Sequence, residues 1–105
     1  MKMITAIINR KDANAVCTAL TDAKVAFTKV ASSGGFLKTG NETLLIGADD
    51  ERVKEIISII RENSAKRMEP TADMVIPGNE NFGLKEVLVG GATVFVSEVS
   101  YYEKM

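Results

Sequence analysis

The residues best suited to chemistry lie between Thr28 and Gly47. In the run Gly34-Gly35-Phe36-Leu37-Lys38-Thr39-Gly40-Asn41, paired glycines free the backbone at a turn. An apolar pair, Phe36-Leu37, stands where a plain hairpin would carry polar residues. Two β-rich stretches, Val25 to Ser33 and Glu42 to Gly47, flank this turn. Such a turn can wrap a flat, partly anionic molecule: backbone N–H groups hold an anion without a cluster of formal charge, and flat rings suit apolar walls with few directed polar groups. Each residue taken singly also has a plainer use. Phe36-Leu37 can be a packing contact, Gly34-Gly35 ordinary turn chemistry, and Asn41 a left-handed loop terminator.

The inventory of catalytic groups is poor. The chain contains no histidine, which removes the commonest general base at neutral pH. Its single cysteine, Cys17, has no disulfide partner, no imidazole to activate it and no histidine with which to share a zinc ion. It reads as helix packing. No catalytic or metal-ligating set is expected, and no cofactor. A net charge of −1 supplies no global attraction to phosphate polymers, so a nucleic acid polymer is not an expected partner.

The elements that position the turn follow from hydrophobic periodicity. Met3 to Asn9 is a short apolar run that reads as a buried strand. Ala13, Val16, Cys17, Leu20 and Ala23 recur at helical spacing, with Asp12 as the N-cap candidate. Val25 to Ser33 and Thr43 to Ala48 return as strands. Asp49-Asp50-Glu51 places acidic groups where a helix N-terminus favours them, ahead of a second helix whose apolar face is Val53, Ile56, Ile57 and Ile60, fraying near Asn63-Ser64. Lys66 to Met74 is a candidate fourth strand, interrupted or edged by Pro70. Met74 to Leu84 reads as a mobile loop, and Glu86 to Val99 as a long β segment with Gly90-Gly91 at a bend or bulge.

At 105 residues, 46% apolar and 26% charged, the chain suits one packed domain over residues 1–105. Ile7-Ile8-Asn9-Arg10-Lys11-Asp12 opens a first unit much as Leu45-Ile46-Gly47-Ala48-Asp49-Asp50 opens a second. The expected fold class is therefore α+β, a ferredoxin-like (βαβ)2 sandwich with an additional long β segment toward the carboxyl end. In that architecture both helices cover one sheet face. Met3 and Ile7 make the first strand apolar on its other side too, so other subunits are expected to cover the open face. No apolar run approaches membrane-spanning length, and the amino end turns polar by Asn9-Arg10 without a signal-peptide core. No membrane insertion and a cytoplasmic location are expected.

Ser33 to Asn41, together with Val89-Gly90-Gly91-Ala92-Thr93-Val94-Phe95-Val96, resembles the P-II-like signal transduction proteins that act as cyclic di-AMP receptors. The resemblance extends over nearly the whole chain and weakens mainly between Lys66 and Lys85. It implies a P-II-like homotrimer with sheets facing inward, one cyclic dinucleotide in each cleft between neighbouring subunits, loops that change conformation on binding, and a downstream protein partner the sequence does not name. Carried over by residue, Thr28 would contact phosphate or ribose, and Gly35 would present an amide to a phosphate. Phe36 and Leu37 would pack on adenine faces. Asn41 would bind an adenine edge by its side chain, and Gly47 would do so by its main chain.

Several positions depart from that pattern. Ala26 stands where an arginine is usual, Ser32-Ser33 replaces two threonines, and Lys38 replaces an arginine, keeping charge but not bidentate geometry. The loop from Met74 to Leu84 is shorter than in typical members, and the tail Tyr101 to Met105 lacks the family's aromatic ending. Ala26 leaves open an alternative ligand, another adenine nucleotide or small molecule, on the same trimeric scaffold. An RNA-binding module shares this strand and helix order, yet neither Met3 to Asn9 nor Thr43 to Ala48 carries the stacking aromatics such modules use. An acylphosphatase-like enzyme would need a glycine-rich anion cradle beside Arg10, and none adjoins it.

Overall fold

The computed structural model describes residues 1–30, 40–71 and 85–105. Strand β1 spans Lys2–Asn9, helix α1 Arg10–Asp22, β2 Thr28–Val30, β3 Asn41–Ala48, α2 Val53–Asn63, β4 Arg67–Thr71, β5 Lys85–Val89 and β6 Ala92–Glu98. A 3-10 turn, Asp50–Arg52, leads into α2. The main sheet runs β2-β3-β1-β6 with every pairing antiparallel. Two helices and this four-stranded sheet make a small α+β domain compatible with the ferredoxin-like sandwich.

Strand alternation divides the sheet chemically. Ile4, Ala6 and Ile8 of β1 and Leu44, Ile46 and Ala48 of β3 are buried beneath Val16 and Leu20 of α1 and Ile56 and Ile60 of α2. The intervening residues, Met3, Thr5 and Ile7 of β1 and Thr43, Leu45 and Gly47 of β3, face the other way and are half-buried or exposed. Cross-strand register adds Thr28 and Val30 of β2, and Thr93, Phe95 and Ser97 of β6, to that second face. Phe95 is 58% exposed there.

Several expectations need correction. Helix α1 is capped by Asn9, whose side-chain oxygen accepts the N–H of Lys11 at 2.9 Å, and not by Asp12. The helix begins three residues earlier, and Asp12, 5% exposed, points inward to Arg67 at 2.9 Å. Strand β2 begins at Thr28 rather than Val25, because α1 ends in a Schellman motif. Lys24 is left-handed (φ 60°), its N–H donates to the Thr21 carbonyl, and that of Val25 donates to Leu20 at 2.9 Å. Val25 then joins Leu20 in the core, the hydrophobic contact typical of this motif. The part of the expected strand at 31–33 lies outside the described residues, as does the expected loop from Met74 to Leu84.

The expected long β segment divides at Gly90 and Gly91, both at positive φ (85° and 79°). Before them, β5 pairs with β4 in a separate two-stranded ribbon; after them, β6 is the fourth strand of the main sheet. Of the two roles expected for Pro70, it edges β4 and does not interrupt it: it lies opposite Glu86 in a ribbon that has two strands among the described residues, and proline is tolerated in an edge strand. Residues 99–105 form no strand, although the N–H of Val99 donates to the Met1 carbonyl at 3.3 Å.

Candidate functional site

Antiparallel pairing places Thr28 opposite Leu45 and Met3 opposite Gly47, all on the face turned away from the helices. A cavity of 370 Å³ opens over this corner of the sheet. Its floor is Met3, Thr28, Leu45 and Gly47. Ala26 and Phe27, which lead into β2, form one wall, and Met1, Val99 and Tyr102 complete it. None of these residues has a charged side chain. Pairing of β2 with β3 thus joins two residues nineteen positions apart in the chain, Thr28 and Gly47, both exposed.

Gly47 has no packing reason to be glycine. A Cβ there would meet only Met1 Sδ at 3.9 Å, and its backbone lies within an ordinary extended strand. The absent side chain leaves the main chain open to the cavity.

Asn41 lies on the same face at the opposite end of β3, across from Asn9. Six positions separate it from Gly47, about 20 Å at the rise of an extended strand. One chain therefore unites Thr28 with Gly47 but not with Asn41. Gly35, Phe36 and Leu37 lie outside the described residues. Of the cavity residues not anticipated as site residues, Met3 and Leu45 are legible from strand alternation, whereas nothing in the sequence places Val99 and Tyr102 there. Ala26, singled out as a departure at a ligand position, is part of the wall.

The surrounding electrostatics are modest. The Met1 amino group donates to Asp50 at 2.9 Å and holds that carboxyl below its usual range. Lys2 pairs with Glu98 across β1 and β6. Partial burial raises the Cys17 thiol above its ordinary value. Among the described residues, no three acidic, cysteine or histidine side chains come together to hold a metal ion, and no helix is long and apolar enough to cross a membrane. A second cavity, 430 Å³, lies on the helix side between α2 and β6, floored by Ile57, Ile60, Val94 and Val96. It contains none of the anticipated site residues.

A structure from Pediococcus pentosaceus ATCC 25745, described as that of a functionally unknown protein, resembles this one with a TM-score of 0.78 and 38% identity, over 99% of this chain and 96% of the other. The family model for the cyclic-di-AMP receptor matches residues 1–105. On that match over its whole length, the chain belongs to the cyclic-di-AMP receptor family.

Proposed function

We propose that the protein is a non-enzymatic cytoplasmic sensor that binds cyclic di-AMP in clefts between the subunits of a P-II-like homotrimer, with Thr28, Gly35, Phe36, Leu37, Asn41 and Gly47 as ligand-binding residues. The observation that carries this reading is the cavity without charged side chains shared by Thr28 and Gly47 on the open sheet face. A largely apolar recess with an accessible main chain suits a purine ring and its polar edge. The apolar residues of that face, Phe95 above all, favour cover by further copies of the chain. Asn41 and Gly47 of one chain are too far apart to read a single base, and two separated recognition points suit a ligand with two bases.

Binding then orders the loops around the cleft and alters how a downstream protein docks. The ligand can shift that equilibrium only by its preference for the ordered state. A second reading, a trimeric sensor of another adenine nucleotide, is favoured by Ala26 in the cavity wall, where a cation for a phosphate is missing. Calorimetry with cyclic di-AMP, cyclic di-GMP, ATP and AMP, alongside sedimentation equilibrium, tests both. Preference for cyclic di-AMP at one site per chain in a three-chain particle is expected. Preference for ATP or AMP selects the second reading, and heat from none of the four overturns both.

A further inference from the structure

Two tyrosines follow β6, and they differ in placement. Tyr101 is 75% exposed and its hydroxyl donates to Glu103. Tyr102, four residues beyond the end of β6 at Glu98, borders the cavity of Thr28 and Gly47, yet it is 61% exposed. Part of Tyr102 therefore faces the recess and the rest faces solvent. The segment is held at its root by the Val99 N–H on the Met1 carbonyl, which keeps Tyr102 at the cavity margin without packing it into the core.

We propose that Tyr102 is a ligand-contacting residue, its ring closing over a nucleobase seated against Thr28, Leu45 and Gly47. This rests on the nucleotide-sensing reading above. The chemistry follows from the wall: no charged side chain lines the cavity and the Met1 amino group is engaged by Asp50, so the attraction available to a base is contact with apolar surface and stacking, and Tyr102 offers the larger flat ring at the margin. Aromatic stacking on a base is sequence-tolerant and sizeable. On the scale measured for such contacts, removing the ring weakens binding roughly 5- to 150-fold. The hydroxyl is secondary to the ring, so Tyr102→Phe is expected to bind within a few-fold of the parent.

The chain has two tyrosines and no tryptophan, so its intrinsic fluorescence reports on these residues alone. In the Tyr101→Phe protein, Tyr102 is the sole fluorophore, and titration with cyclic di-AMP should change its emission saturably, in step with calorimetric binding. In Tyr102→Phe, the remaining Tyr101 should not respond. Tyr102→Ala should lose affinity by the factor given, with an unchanged circular dichroism spectrum because the residue is mostly exposed; should that variant not fold, the fluorescence titration still decides. Cyclic di-AMP binding by the parent protein with a silent Tyr102, or with equal affinity in a folded Tyr102→Ala, overturns this proposal and leaves the sensing reading intact. Absence of cyclic di-AMP binding by the parent overturns both.

Discussion

Gly47→Ala should raise stability and lower affinity, a combination that separates a ligand-facing glycine from a structural one. In the free protein the added methyl has room: its nearest contact beyond the chain neighbours is Met1 Sδ at 3.9 Å, an ordinary van der Waals separation. The residue lies in the extended backbone of β3, so alanine adopts its conformation without strain. Glycine in a strand costs roughly 0.5–1 kcal/mol relative to alanine through the greater freedom of the unfolded chain. That gain corresponds to about 2–4 °C in Tm for a domain near 100 residues. With ligand present the sign reverses. The methyl projects into the cavity beside the main chain that would meet the base edge, and a buried polar edge left without its partner costs about 1–3 kcal/mol, or roughly 5- to 150-fold in Kd. Thermal denaturation without ligand and calorimetry with cyclic di-AMP read the two effects independently. Parental affinity in Gly47→Ala would refute approach of the base to β3 at this position, and a fall in Tm would refute the open Cβ site.

Other perturbations test the rest of the framework. Arg67→Ala leaves the Asp12 carboxylate, 5% exposed and with Oδ2 already unpartnered, without its cation; because Arg67 is 38% exposed in its side chain, the loss is set at about 2–3 kcal/mol, below that of a fully buried pair. Asp12→Ala should cost less by urea denaturation, since the Arg67 side chain is 38% exposed and its guanidinium reaches water. Gly90→Ala combines a positive φ with a Cβ only 2.6 Å from the Ala65 carbonyl oxygen, so a loss of more than about 1–2 kcal/mol is expected; a Tm equal to the parent's would show that the turn between β5 and β6 tolerates a side chain at this position. Phe95→Glu, at a 58% exposed position, should give single chains in sedimentation equilibrium with helical circular dichroism intact, and a persistent three-chain particle would exclude this face as the interface. The Cys17 thiol, raised by partial burial, has less thiolate at a given pH than a free cysteine, so iodoacetamide should alkylate it more slowly than a model peptide at pH 8; equal rates would refute its shielding.

Legibility in the sequence tracks periodicity. Strands β1 and β3 and both helices are readable because their apolar residues repeat at two or at three to four positions. The misplaced boundaries arise where local hydrogen bonding decides. Asn9 competes with Asp12 for the N-cap and wins because the chain turns into the helix directly from β1, leaving Asp12 inside to meet Arg67. Val25 looks like the start of a strand because it is β-branched and apolar, but Lys24 in the left-handed region folds it back onto Leu20. The glycine pair at 90–91 announces a bend, whereas the transfer of the chain from ribbon to main sheet depends on pairing partners no local pattern reveals. At the site, Thr28 and Gly47 meet through strand pairing, and Tyr102 arrives by a segment with no regular structure.

The core also governs the register of the site. Leu44, Ile46 and Ala48 are buried against the helices while Thr43, Leu45 and Gly47 face away from them, so a one-residue slip of β3 exchanges the two sets. Such a slip would take Leu44 and Ile46, each fully buried, into water at about 1.5–3 kcal/mol apiece, a large part of the stability a domain of this size possesses. The same slip would replace Gly47 in the cavity by a neighbour with a side chain and move Leu45 from beside Thr28. Hydrophobic burial on the helix side thus holds the open side in register. Residues of the open face therefore keep their register without stabilising contacts of their own.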